Sequence, residues 1–318
     1  MKLIDMHCDT IGKILDLDHW GSLRENNCAV TISKLREADS LAQFFACFTK
    51  ASEYVNGYEG CYEHLLEMIA FTKEQIHENG EEIDIACSWD DVRRCEEQKK
   101  LAAILTVEEG GVLNNIIERL DVLYENNIRL MTLLWNYENC IGYPNSQETK
   151  IMERGLKPFG VETVERMGEL GLIVDISHAS DGTFWDVLKY ASSPVVASHS
   201  NCRSICNHPR NLSDEMIHAL AEKGGVSGLN LYGIFLNGKK ESTLDAMSAH
   251  VLHMLNKGGS DFAAIGTDFD GFGGMEREDI PDIAQMEKLW HILKGKGISE
   301  DQLEKIWHGN VMRIMKEI

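Results

Sequence analysis

The sequence has little positive charge, little proline and no long apolar run, and each shortage excludes something. Its 31 lysines and arginines stand against 51 aspartates and glutamates, a formal net charge of −20. So acidic a surface repels polyanions, which argues against nucleic acid and against an anionic membrane as partners. No apolar stretch approaches the roughly 18 residues that a membrane-spanning helix needs. The N-terminus, MKLIDMHCDT, is polar by residue 5 and offers no signal-peptide apolar core. With 5 prolines in 318 residues, and no repeat or low-complexity stretch, there is no Pro/Ser linker to divide the chain. The length fits two domains or one α/β barrel with insertions, and it suffices for a large core. The 9 cysteines are odd in number and lack paired zinc-finger spacing, since Cys202 and Cys206 have no second pair. They read as reduced thiols of a cytoplasmic protein.

What is present is a series of short apolar runs that end in chemically capable residues. Residues 172–176, LIVDI, lead to His178, and residues 194–197, PVVA, lead to His199. Between them, residues 181–190 have helical spacing with Asp181 as the expected N-cap. Strand, helix, strand predicts a parallel βαβ unit whose histidines emerge at the same end of adjacent strands. Either histidine alone reads as a core residue bonded to backbone. The repeated strand-end placement favours metal ligands.

The same pattern recurs along the chain. Residues 2–6 form a predicted strand followed by His7 and Asp9, whose i, i+2 spacing lets both converge on one ion. Residues 42–48 predict a second strand, and 83–87 a short extended run. Residues 101–107 predict a third strand, ending in Glu108-Glu109-Gly110-Gly111. Those carboxylates are a metal or acid/base candidate, or simply the acidic start of a helix. Residues 128–134 form a fourth strand ahead of Trp135, Asn136 and Tyr137. The loop through Gly142, Tyr143, Pro144 and Asn145 suits a substrate wall or a packed surface loop. Residues 225–231 and 262–267 supply the seventh and eighth strands, the last followed by Asp268. Helical spacing falls at 59–78, 90–100, 112–126, 160–170, a Ser213-capped stretch to 223, 244–256, 282–295 and 299–318. Arg203 and Arg210 lie beyond the sixth strand. An arginine near a metal can clamp a substrate carboxylate, and Arg203 reads as a surface residue. His19, His64, His77, His218, His250, His253, His291 and His308 fall within or beside helices and receive no chemical assignment.

Eight strands alternating with helices predict an α/β fold, a (β/α)8 TIM-type barrel, over a doubly wound sheet. His7, Asp9, Glu108, His178, His199 and Asp268 then sit at the C-terminal ends of the strands. Three histidines and carboxylates around one mouth can hold two divalent ions with a carboxylate between them. Nitrogen and oxygen donors without thiolates fit zinc, with manganese or cobalt as alternatives. Such a pair can hold a bridging hydroxide and polarise a carbonyl, which suits hydrolysis of amides or esters.

IDMHCD, TVEEGG, VDISHAS with ASHS, NHPRN, GTDFDG and a terminal GNVMRI occur in that order. With them the chain resembles the membrane dipeptidase (renal dipeptidase) family of zinc metallopeptidases. The resemblance implies an amidohydrolase-like (β/α)8 barrel spanning residues 1–318 as one domain with C-terminal helices. It also implies two Zn2+ ions per chain, a homodimer, and hydrolysis of dipeptides, in some members with a D-residue at the C-terminal position. Carried over by motif, His7 and Asp9 would bind one zinc with Glu108, which would bridge to a second zinc held by His178 and His199. Glu108 is preferred to Glu109 on its distance from the following strand motif. Asp268 matches the acidic residue that handles the proton of the attacking water. Arg210, rather than Arg203, matches the arginine that receives the substrate carboxylate. Mammalian relatives carry a histidine after the fourth strand that assists the carbonyl oxygen. Trp135 stands there instead, with Asn136 and Tyr137 as the alternative donors. Mammalian members also have a signal peptide and a membrane anchor; neither is seen, so the chain resembles the soluble bacterial branch.

The alternative is a binuclear-metal amidohydrolase acting on a cyclic amide or ester. Many of those bridge their metals with a modified lysine after the fourth strand, where this chain has Leu134-Trp135-Asn136. A non-enzymatic barrel that has lost its metals is the third reading, and the complete ligand set speaks against it.

Overall fold

Each apolar run expected to be a barrel strand contains one. The structure, a computed structural model, describes residues 1–16 and 21–318; His19 lies outside the described residues. The strands are β1 (Leu3–Cys8), β2 (Ser40–Phe48), β3 (Ile83–Ile85), β4 (Leu101–Glu108), β5 (Ile128–Thr132), β6 (Ile173–Asp175), β7 (Val195–Ala197), β8 (Val226–Leu229), β9 (Glu241–Ser242), β10 (Ala263–Ile265) and β11 (Arg277–Glu278). Strands β1, β2, β4, β5, β6, β7, β8 and β10 pair in parallel in that order, and β10 returns to β1. The result is a closed eight-stranded parallel barrel with helices between its strands. The 83–87 run forms β3, which lies outside the ring. It pairs with Leu101–Ala103 of β4 on the edge whose other end, Leu105–Glu108, pairs with β5. The two-residue strands β9 and β11 pair separately.

The strands are apolar on both faces because both faces are covered. Ile4, Met6, Phe44, Ile104, Leu130, Ile173, Val196, Val226 and Ala264 form an inner cluster, which Val311, Ile314 and Met315 of the terminal helix Asn310–Met315 join. Leu3, Cys8, Phe45, Leu105, Val174 and Ile265 face the outer helices. Along β1 the alternation breaks, with Ile4 and Met6 inside but Cys8 outside. The cause is a register shift against β2 between Asp5 and Cys8. A bulge of this kind re-aims side chains beside active sites, and here it turns His7 and Asp9 to the mouth.

Helix ends depart from expectation in ways that capping chemistry explains. Ser180, not Asp181, caps the helix Asp181–Tyr190: its Oγ accepts from the Thr183 N–H at 3.1 Å. Ser213 caps Asp214–Glu222 as expected. The helix expected over 112–126 is split into a short turn, Gly110–Leu113, and a helix, Glu118–Glu125. Asn114 and Asn115 between them adopt left-handed φ of 46° and 62°, which asparagine tolerates better than most residues. Among the described residues, no helix is long and apolar enough to cross a membrane.

Candidate metal centre

Five side chains meet at the C-terminal mouth of the barrel with Glu108 at their centre. Glu108 ends β4, and its two oxygens face different groups. Oε2 lies 3.2 Å from His7 Nε2, which is also 3.3 Å from Asp9 Oδ2. Oε1 lies 3.0 Å from His178 Nε2 and 3.8 Å from His199 Nε2. Asp268 Oδ1 stands 3.9 Å from His7 Nε2. All six residues are buried except Asp268, which is partly exposed. Donor atoms of His7, Glu108 and His199, and of His7, Asp9 and Asp268, are close enough to hold an ion.

The electrostatics call for cations. Burial alone would push Glu108 up, but His7 and His178 outweigh it and hold the carboxyl well below the usual range. Burial would push His7 down, and the Glu108 and Asp9 carboxylates raise it well above its ordinary value instead. Burial, then Arg210, pushes His178 down to about 4. Burial, His7 and Arg210 push His199 well down. Asp268 is raised to about 7, chiefly by burial and by the Asp9 and Glu108 charges. Neutral His178 and His199 present Nε2 atoms 3.1 Å apart, and His7 turns its buried Nε2 to the Glu108 and Asp9 oxygens. Lone pairs converging on carboxylate oxygens in a buried site fit divalent metal ions.

A layer of hydrogen bonds aims these ligands. His178 Nδ1 lies 2.9 Å from Asn136 Oδ1 and His199 Nδ1 lies 2.6 Å from Ser198 Oγ, so each ring is held through its far nitrogen. Asp5 and Asp175, both fully buried, lock the strand ends. Asp5 accepts from Thr267 N and Oγ1, each at 2.8 Å, just before Asp268. Asp175 accepts from Ser198 N at 2.8 Å and Oγ at 2.6 Å, just before His199. Asp268 takes a positive φ of 62°, and Asn230 Nδ2 donates to its Oδ2 at 2.8 Å. Gly228 and Gly266 let the wall close. A Cβ on either would fall within 1.9 Å or 1.7 Å, respectively, of the Ser198 carbonyl oxygen.

The neighbouring Glu109 faces away from this cluster. It is buried at a left-handed φ of 91° and accepts from Gly111 N at 2.7 Å, Asn139 Nδ2 at 2.5 Å and Trp135 N at 3.1 Å. Glu109 thus pins the loop after β5. Trp135 and Asn136 of that loop line a cavity of about 590 Å³ with Asp9, Glu108, His178 and Asp268. Phe48, Tyr54, Tyr232, Phe235 and Phe272 supply aromatic walls. Tyr137 lies behind Trp135, with its hydroxyl accepting from Ala51 N at 2.7 Å. The 142–145 loop is a packed brace: Asn145 N and Nδ2 both donate to the His178 carbonyl, at 2.7 and 3.1 Å. Arg210 is buried and donates through Nη1 to Ser200 Oγ at 2.5 Å and through Nη2 to the His199 carbonyl at 3.0 Å, leaving Nε without a partner. Arg203 turns aside to pair with both oxygens of Asp181, at 2.8 Å each. Sequence reasoning gave no role to Asp5, Asp175, Ser198 or Asn230. The Asp in IDMHCD and VDISHAS was the available signal.

Comparison with known proteins gives concordant results. The family model described as membrane dipeptidase (peptidase family M19) matches residues 1–318. An uncharacterized protein from the pqqA 5′ region of Klebsiella pneumoniae is 30% identical over 264 residues, 80% of this chain and 96% of that protein. An uncharacterized dipeptidase of Schizosaccharomyces pombe is 28% identical over 296 residues, 89% of this chain and 71% of that protein. Among solved structures, a Rhodobacter sphaeroides metallopeptidase liganded with a phosphinate mimic of the dipeptide L-Ala-D-Ala superposes with a TM-score of 0.88. It shares 19% identity and covers 100% of this chain and 99% of its own. At that identity the likeness shows the fold.

Proposed function

The chain belongs to the membrane dipeptidase family, peptidase family M19, and from that premise we propose that this metallo-dipeptidase works with two zinc ions held by the ligand set described. One ion would lie among His7, Asp9 and Glu108 Oε2, the other among His178, His199 and Glu108 Oε1. The observation that carries this reading is the split of Glu108, one oxygen toward His7 and the other toward His178 and His199. When bound, the ions supply Lewis acidity toward the scissile carbonyl and a water acidic enough to be a nucleophile at neutral pH.

The chain's own residues do the rest. Asp268, held through Oδ2 by Asn230, keeps Oδ1 toward the cavity. There it takes the proton of the attacking water and returns it to the leaving amine nitrogen. Arg210 receives the substrate's C-terminal carboxylate, with its unpartnered Nε as the readiest donor. Asn136 is the favoured donor to the carbonyl oxygen. Its Oδ1 serves His178, which leaves its Nδ2 amide, and Asn136 lines the cavity whereas Tyr137 is not among the lining residues. The aromatic walls exclude water and orient the two side chains of a dipeptide. The ligand of the Rhodobacter sphaeroides relative supports acceptance of a D-residue at the C-terminal position. Residues 1–318 form one catalytic domain in this reading, which also carries a homodimer and a cytoplasmic location.

The test is hydrolysis of a panel of L-L and L-D dipeptides by zinc-loaded and chelated protein. Zinc-dependent cleavage is expected. Two bound equivalents of zinc without cleavage of any dipeptide would defeat the substrate assignment in favour of a cyclic amide or ester.

A further inference from the structure

We propose that Asp175 and Ser198 set which nitrogen of His199 carries the ring proton, and so make His199 a metal ligand. The inference rests on the metal-centre reading and concerns residues that touch neither substrate nor ion. Asp175 Oδ1 accepts from two backbone groups, Ser177 N at 2.9 Å and Ser198 N at 2.8 Å. Its Oδ2 meets two hydroxyls, Thr132 Oγ1 and Ser198 Oγ, each at 2.6 Å. Four donors fill the lone-pair sites of a carboxylate that can only accept. Ser198 therefore spends its single proton on Asp175 and can only accept from His199, whose Nδ1 lies 2.6 Å away. The ring proton is fixed on Nδ1, and the Nε2 lone pair points at Glu108 Oε1 and His178 Nε2. The ring cannot turn over to escape this. His7 stacks on it with ring centroids 3.8 Å apart, which opposes rotation about the Cβ–Cγ bond. Asp175 and Ser198 are thus positioning residues, acting through polarity rather than contact.

The polarity can be reversed without removing an atom's worth of volume. In Asp175→Asn the oxygen must stay on the two backbone N–H groups, so the new amide nitrogen faces Ser198 Oγ and donates to it. The freed Ser198 proton then goes to His199 Nδ1, and the ring proton moves to Nε2, where it blocks the metal. Ser198→Ala only unfastens the ring and forces neither tautomer. A merely structural role predicts the opposite ranking or none.

The experiment measures zinc bound per chain against free zinc, with Co(II) visible absorption as a second readout, in the wild type, Asp175→Asn and Ser198→Ala. Asp175→Asn is expected to weaken the second equivalent by ~10- to 100-fold, the usual scale for lost outer-sphere support. Ser198→Ala should weaken it less, and both should leave the first equivalent near wild type. Wild-type affinity for both equivalents in Asp175→Asn, or a larger loss in Ser198→Ala, overturns the proposal. Should Asp175→Asn fail to fold, ring 15N shifts of His199 in the metal-free wild type decide. The Nδ1–H form is expected, and an Nε2–H form overturns the proposal. That measurement also stands if the wild type takes up no second zinc, a result that would count against the metal-centre reading alone.

Discussion

His250 offers a test of the fold through pH. It is fully buried on the helix Leu244–Gly258. Its Nδ1 accepts from the Cys202 backbone N–H at 3.1 Å, and its Nε2 donates to the Leu236 carbonyl at 2.8 Å. The first bond needs the neutral ring, because a protonated Nδ1 cannot accept, whereas the second survives protonation. Burial pushes the imidazole down from 6.5 to about 4, against the Leu236 hydrogen bond and with help from His253. The unfolded chain, with its ordinary histidine, therefore binds the proton more readily between those values. The stability from His250 is complete above the unfolded value and is lost as pH falls toward the folded one. A gap of about 2.5 units corresponds to about 3 kcal/mol in full, of which about 2 kcal/mol is gone by about pH 5. Urea unfolding of the wild type and His250→Gln at about pH 7.5 and about pH 5, with zinc saturating, isolates this contribution, because glutamine gains no proton. The wild type's advantage should shrink by about 2 kcal/mol. An advantage that stays constant across that interval refutes the argument, since it would mean that the ring takes up its proton equally in both states.

Three further outcomes are expected. Asp268→Asn should keep both zinc equivalents while kcat falls by roughly two to four decades, the scale of lost proton transfer; near-normal turnover would remove the shuttle. Gly266→Ala should destabilise the fold by about 3 kcal/mol or more, as overpacking against backbone can, because its Cβ would sit 1.7 Å from the Ser198 carbonyl oxygen; a melting temperature within a degree or so of wild type would contradict that clash. Chelation should abolish activity and lower the unfolding free energy by roughly 3 kcal/mol for each zinc that had been held at about a hundredfold over its dissociation constant, with calorimetry as the check.

The barrel was legible because its signal is local. Runs such as LAAIL are apolar throughout only when both faces are covered, and a strand that ends in a histidine or a carboxylate announces the mouth. The same logic brought His7, Asp9, Glu108, His178, His199 and Asp268 to one mouth, where the structure also puts them. What escaped depends on neighbours remote in sequence. The bulge that re-aims His7 exists only in the register of β1 against β2. Asp175 earns its role from Thr132 and Ser198 on the adjoining strands. Glu109 could not be separated from Glu108 by composition, because the difference lies in a backbone turn at φ 91°. The break at Asn114 and Asn115 was hidden because an apolar period carries no record of φ.

The bulge in β1 also decides what becomes of the thiol between two ligands. Cys8 is flanked by His7 and Asp9, yet it points into the outer core, with its Sγ directed to the Phe44 carbonyl at 3.6 Å. Burial, then the Asp5 charge, pushes the thiol well above its ordinary range, so it stays protonated. The other eight cysteines are likewise free, and among the nine none is exposed. With the Cys8 thiol turned away and no cysteine among the residues that line the cavity, imidazoles and carboxylates are the ready donors at the mouth. The chain can therefore carry many sulfur atoms without diverting the choice of ion away from the borderline metals that nitrogen and oxygen prefer.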